Sequence, residues 1–380
     1  MKITKIFAAF FESEKAGGLF LIFCTVVSLI VANSIFSQHY LAFWHLQIGT
    51  HSLEIWINDG LMALFFLLIG LELERELYNG ELSKIRNAML PLFGAIGGML
   101  IPAIIYLTLN FNSATQLGFG IPMATDIAFA IGILSLLGNR VPTSLKIFLT
   151  ALAVIDDLGA IIMIAIFYTK TIVWSNLLVV FIILGILFAL NRLRVYNLIP
   201  YLIGGVIMWY FMMNSGIHAT ITGILLAFVI PFGAGTDKSP SIILQHFLHK
   251  PIAFIILPLF ALANTAIVLN LNWHYAFLHR YTIGIALGLL LGKPIGIWLF
   301  SYLSVRLKIG KLPYDVTWRT LFGASILGGI GFTMSIFVTL LAFNDQLQIN
   351  NSKITILAVS LIAGLIGFFV LNFTLKSDRN

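Results

Sequence analysis

The stretch ALAVIDDLGAII, residues 151–162, sets two carboxylates, Asp156 and Asp157, side by side in an otherwise apolar run. Lys146 and Lys170 bracket it, and residues 147–169 carry no other charge. At about 1.5 Å per helical residue this segment is long enough to cross roughly 30 Å of hydrocarbon, with the acids near its centre. Insertion scales put the cost of one central Asp at about 2.5–3.5 kcal/mol, so two in a row demand compensation or a wet cavity. Neighbouring helix positions diverge by about 100°, so the two carboxylates can have different partners. Ala153, Gly159 and Ala160 leave room for another backbone to approach.

The rest of the chain agrees with a membrane reading. Of 380 residues, 59% are hydrophobic and 10% charged, and the mean hydropathy is +1.01. Soluble domains carry roughly 25% charged residues. One cysteine, Cys24, excludes an intrachain disulfide framework and a multi-cysteine metal site. The first apolar segment follows Glu12, Glu14 and Lys15 and precedes many others, which favours a retained helix over a cleaved signal peptide.

Hydropathy and loop punctuation predict twelve spans, at about 16–36, 58–79, 89–109, 117–137, 144–168, 174–190, 198–212, 216–231, 248–269, 281–304, 319–342 and 353–375. The fold class expected is therefore an all-α polytopic membrane protein, a single integral membrane domain over residues 1–380. With the N-terminus inside, eighteen of the 22 Lys and Arg residues fall in inside segments. Lys170, Arg280 and Lys353 fall outside, and Lys293 lies within a span. That bias predicts both termini in the cytoplasm, and it accounts for the formal charge of +7 without a nucleic-acid partner. The outer loop HLQIGTHSLEI, residues 45–55, alternates apolar and polar residues about Gly49, Thr50 and His51, a β-hairpin signal. A lone hairpin is marginal in water, which points to pairing with a second copy.

Lys293 is the natural partner for the acids. It lies midway between Arg280 and Arg306, flanked by Gly292 and by Pro294, which removes a backbone hydrogen bond and bends the helix. A structural salt bridge is the plain alternative. A third acid, Asp126, follows Pro122 and Thr125 in IPMATDIAFAIG, residues 121–132; ILGGIGFTMS, residues 326–335, is interrupted by Gly328, Gly329 and Gly331. Two such broken segments, about 117–137 and 319–342, point to a midplane site. Asp126 could balance facing N-terminal helix ends and Lys293 facing C-terminal ends. Carboxylates, a threonine hydroxyl and freed carbonyls are hard oxygen ligands suited to a small hard cation. Protons and that cation would compete for the same carboxylates, which suffices for antiport.

Several stretches together resemble the NhaA-type bacterial sodium/proton antiporters. They are ESEKAGGLFLI, FFLLIGLELEREL, IPMATDIAFAIG, LKIFLTALAVIDDLGAI, GIHAT, LPLFALANT, LGKPIGI and GIGFTMSIF. The resemblance implies electrogenic, pH-regulated efflux of Na⁺ or Li⁺ driven by proton entry, in a bacterial inner membrane and without a cofactor. It implies that Asp157 is the main cation ligand, that Asp156 shares the site and pairs with Lys293 when the cation is absent, and that Thr125 and Asp126 belong to the broken-helix assembly. It further implies an inverted repeat relating spans three to five and ten to twelve, broken helices crossing near the midplane, and a homodimer formed through the hairpin.

Glu72, Glu74, Arg75 and Glu76 end span two; a solvated helix end is the plain reading, and the resemblance links the region to pH response, with Glu72 nearest a cation funnel. His218 is a candidate pH-sensitive group because histidine titrates near neutrality. His246 and His249, three apart, share a helical face but lack further ligands for a metal. Gln245 stands where the resemblance sets a glutamate. The competing readings are a K⁺ or organic-cation transporter, an intramembrane aspartyl protease and a channel. The protease is disfavoured because the acids are adjacent rather than on facing helices. The channel is disfavoured because broken helices enclose one compact charged site.

Overall fold

The computed structural model describes residues 14–169, 171–233, 235–236, 238–269 and 273–377. Lys2, Lys5, Lys170 and Arg379 of the charge count lie outside them. The chain is almost wholly helical. In order it runs α1 (Glu14–Ala32), α2 (Leu53–Tyr78), α3 (Ile85–Asn110), α4 (Gln116–Leu136), α5 (Thr143–Phe167), α6 (Trp174–Arg192), α7 (Ile199–Met213), α8 (Ile221–Ala227), α9 (Pro240–Asn264), α10 (Arg280–Arg306), α11 and α12 (Gln346–Ser377). The α11 segment is a pair of half-helices, Trp318–Gly328 and Phe332–Ala342, bent by 44°.

Not all of the twelve expected spans appear as membrane-length helices among the described residues. Eight helices are long and apolar enough to cross, nine with the bent pair, while α1 and α7 are shorter apolar helices. The eighth expected span contracts to the seven residues of α8. Gly216, at φ +87°, and Pro231 bound that run, so much of its apolar sequence is turn rather than helix. The expected hairpin is also smaller than its alternation suggests. Gln47–Ile48 (β1) pairs antiparallel with His51–Ser52 (β2), and one further backbone bond, Leu53 N–H to the Leu46 carbonyl at 2.9 Å, closes the open end. Ser52 then caps a helix through its side chain, so Leu53–Ile55 is helical rather than extended.

Large apolar side chains such as Phe23, Ile30, Ile166, Phe181, Val206 and Phe373 face outward, while acids and a lysine are buried at the centre. That inversion suits lipid, where exposed apolar surface costs nothing and backbone polar groups must be satisfied within helices.

Four local devices shape the interior. In α4, a 3₁₀ turn over Gln116–Met123 gives way to extended residues at 124–126 before Ile127–Leu136 resumes. Pro122 has no N–H to give, and Asp126 caps the second half by accepting from Phe129 N–H at 3.0 Å. In α11 the glycines between Gly328 and Gly331 weaken helix continuity. In α10 a π turn over Gly288–Gly292 precedes Lys293, an adjustment for the donor that Pro294 lacks. Finally, α3 and α10 touch backbone to backbone. A Cβ on Gly296 would lie 2.1 Å from the Gly97 carbonyl oxygen, so only glycine fits. That contact seats Lys293, one turn away, against the centre.

Candidate functional site

The four central charges are cut off from water. Asp156 and Lys293 are 0% exposed, Asp157 1% and Asp126 2%. The Lys293 Nζ lies 2.8 Å from Asp156 Oδ2 and also donates to the Met123 carbonyl, the C-terminal end of the first half of α4. Thr125 Oγ1 lies 2.8 Å from Asp156 Oδ2 and 2.9 Å from the Gly328 carbonyl, where the first half of α11 ends. The two C-terminal ends are therefore met by different groups. Lys293 hydrogen-bonds the first of them and Thr125 the second.

Asp126 does meet both N-terminal ends. Its Oδ1 accepts from Phe129 N–H, and its Oδ2 accepts from Thr333 N–H at 3.1 Å and from the Thr333 hydroxyl. Its own N–H donates to the Ile330 carbonyl at 2.7 Å, and Ser335 Oγ donates to the Ile121 carbonyl at 2.7 Å. The breaks of α4 and α11 are thus stitched to each other. Thr333 and Ser335 stood out in the sequence only as polar residues in a glycine-rich stretch. Their partners could not be read there, because they lie some two hundred residues away.

Asp157 differs from its neighbour. Among the described residues its Oδ1 is buried without a hydrogen-bond partner, as is Asp156 Oδ1, while Asp156 Oδ2 meets Lys293 and Thr125. An unsatisfied buried carboxylate oxygen costs about 1–3 kcal/mol or more. Two such oxygens from consecutive residues form an acceptor set that a proton or a hard cation would satisfy. The Asp156–Lys293 pair is also poised for exchange. At an effective dielectric near 20 its attraction is about 6 kcal/mol. Desolvating each ion costs several kcal/mol, so the pair sits near balance and a competitor can displace it.

The family described as Na⁺/H⁺ antiporter 1 matches residues 8–371. The chain belongs to that family. Similar proteins named Na⁺/H⁺ antiporter NhaA include one from Flavobacterium psychrophilum, 66% identical over 377 residues, covering 99% of this chain and 98% of that one. Another from Flavobacterium johnsoniae is 63% identical over 380 residues, the whole of both chains. A third, from Dechloromonas aromatica, is 57% identical over 382 residues, covering all of this chain and 98% of its own. The antiporter family consists of secondary transporters rather than enzymes, and its members are integral membrane proteins.

A cavity of about 500 Å³ leads toward the centre of this antiporter-family chain. Glu72, Arg75 and Glu76 of α2, and Gln245, His246 and His249 of α9, line it, as does Val154, one helical turn before Asp157. His249 Nδ1 is 3.9 Å from Glu72 Oε1, and an Arg75 guanidinium nitrogen is 3.4 Å from Glu76 Oε1. Glu74 is not part of a solvated end. It is buried, and its Oε2 has no hydrogen-bond partner among the described residues. His218 stands apart from this cavity, its Nε2 3.2 Å from the Tyr168 carbonyl oxygen. Lys353, counted in the outside set as the first residue of the last expected span, is buried within α12. Its position at the edge of the last apolar run was the only sign in the sequence.

Proposed function

We propose that this chain exchanges Na⁺ or Li⁺ for protons at Asp156 and Asp157, with Asp157 the principal cation ligand. The observation that carries the reading is the pair of buried, unpartnered carboxylate oxygens beside a lysine that already has a carboxylate to hold. In the cation-free state Lys293 pairs with Asp156. Cation entry draws Asp156 and Asp157 onto the ion and loosens that pair, and proton uptake later expels the ion. Two carboxylates can return two protons for one monovalent cation, which makes the cycle electrogenic. Thr125 and Asp126 hold the broken helices in register around the ion, and Asp126 neutralises the two N-terminal ends that meet there.

The cavity lined by Glu72, Arg75, Glu76, His246 and His249 is the cytoplasmic entry and the place where pH acts, with His218 a separate contributor. The charge count supports a cytoplasmic position for both termini, in a bacterial inner membrane. The α3–α5 and α10–α12 segments form an inverted repeat, a reading supported by the break in the middle helix of each. The β1–β2 ladder, with Leu46 and Ile48 exposed, serves a homodimer.

The test is ΔpH in inside-out vesicles read by a fluorescent probe, with Na⁺, Li⁺ or K⁺ added across pH 6.5–8.5, a range spanning histidine titration at roughly 6.5. Na⁺- and Li⁺-dependent loss of ΔpH that disappears in Asp157→Asn is expected. No response to Na⁺ or Li⁺ from folded, inserted protein would overturn the reading.

A further inference from the structure

A second buried polar cluster lies far from the cavity. Asn58 sits in a π turn of α2 over Trp56–Leu61, Asn264 is the last residue of α9, and Lys353 lies two turns into α12. Asn264 Nδ2 donates to Asn58 Oδ1 at 2.7 Å, and Lys353 Nζ donates to Asn264 Oδ1 at 3.4 Å. Lys353 is 4% exposed and Asn264 1%.

The placement matters because α2 and α9 also line the cavity. Asn58 precedes Glu72 by fourteen residues, and Asn264 follows His249 by fifteen, so at about 1.5 Å per residue the cluster is about 20 Å from the cavity mouth, at the opposite end of the same two helices. At this end the Asn264–Asn58 hydrogen bond ties the two helices together. The third member, α12, reaches the ion site directly. Ser360, two turns beyond Lys353, accepts the Phe332 N–H at 3.1 Å, at the break of α11, next to the Thr333 that holds Asp126.

We propose that Lys353, Asn264 and Asn58 form a latch that closes the ion path at the face opposite the cavity, and that it parts each time the site opens to that face. The proposal rests on the exchange reading above and makes Lys353 a positioning residue for it, acting through α12 on the broken-helix crossing. Two features fit a bond made to be broken. The lysine contact is long, and an ammonium held by a neutral amide has little to lose if α9 withdraws and water enters. The π turn in α2 likewise places Asn58 where the helix ladder is already interrupted.

The experiment uses the full-length protein in sealed vesicles of each orientation, with Cys24→Ser and a reporter, Thr265→Cys, at the buried end of α9. A membrane-impermeant charged thiol reagent is applied from each side without Na⁺. With the latch intact, labelling from the face opposite the cavity is slow. Lys353→Met, or Asn264→Ala if the first variant does not fold, is expected to speed labelling from that face at least about tenfold, the population change that follows from roughly 1.4 kcal/mol of lost closure. Lys353→Arg is expected to restore most of the slow rate. Unchanged labelling in a variant that elutes as a single folded species overturns the latch. Faster labelling from both faces equally also overturns it, as that is general loosening. ΔpH measured in the same vesicles judges exchange separately, so a wild-type protein without Na⁺ response would sink the transport reading and leave the labelling result to decide the latch.

Discussion

Replacing Asp126 by asparagine tests the stitching of the two broken helices. The carboxylate accepts from Phe129 N–H on one oxygen and from both the N–H and the hydroxyl of Thr333 on the other. An asparagine can keep one oxygen. The cheaper choice turns its oxygen to Thr333 and leaves its NH₂ facing the Phe129 N–H, donor against donor. One hydrogen bond to a charged group is lost, about 1.5–3 kcal/mol. The charge opposite two half-helix N-termini goes with it, adding about 0.3–1 kcal/mol for each end, more where water is excluded. The relief of burying a neutral group offsets part of this, leaving a net loss of about 2–4 kcal/mol. Chemical unfolding in mixed micelles, followed by tryptophan fluorescence, reads that difference directly. Thr333→Val removes only the hydroxyl donor and should cost less than Asp126→Asn. Equal stability of Asp126→Asn and wild type, with undiminished Na⁺-dependent ΔpH, would refute the claim that this carboxylate holds the crossing together.

Lys293→Met leaves Asp156 buried with only the Thr125 hydroxyl as donor, so a loss of about 3–5 kcal/mol is expected where Asp156 stays ionised, read by the same unfolding assay. That loss should shrink in acid, as protonation of Asp156 removes the stranded charge; a loss independent of pH would count against the pair. Competition for shared carboxylates predicts that the Na⁺ concentration for half-maximal exchange rises as pH falls. The rise is about tenfold per pH unit where one proton competes and steeper where two do. A half-maximal concentration that does not change with pH would mean that cation and proton use separate sites.

Much of the site could be read from residue order. Two acids in the middle of an uncharged run, and a lysine midway between distant arginines, have few places to go but the interior. Gly and Pro marked both breaks for the same reason, since backbone chemistry acts locally. What stayed hidden was pairing across the fold. Nothing local says that Thr125 rather than Lys293 meets the Gly328 carbonyl, because that depends on which of two donors is nearer. Lys353 marked the start of the last expected span because charge near the end of an apolar run looks like a boundary, whereas α12 begins seven residues earlier. The short α8 escaped notice because hydropathy reports a preference for lipid or core and says little about whether the backbone there is helical.

The bonds at the crossing join α4, α5, α10 and α11 to one another, and among the described residues none of these bonds reaches α2 or α9. If that cage travels, it travels whole, and no ligand must be handed from one wall to another on the way. The same oxygens would then confront the solution on each side of the membrane. Discrimination among Na⁺, Li⁺ and K⁺ should therefore be the same whether it is measured during uptake or during efflux, with the driving force alone deciding which way the traffic runs.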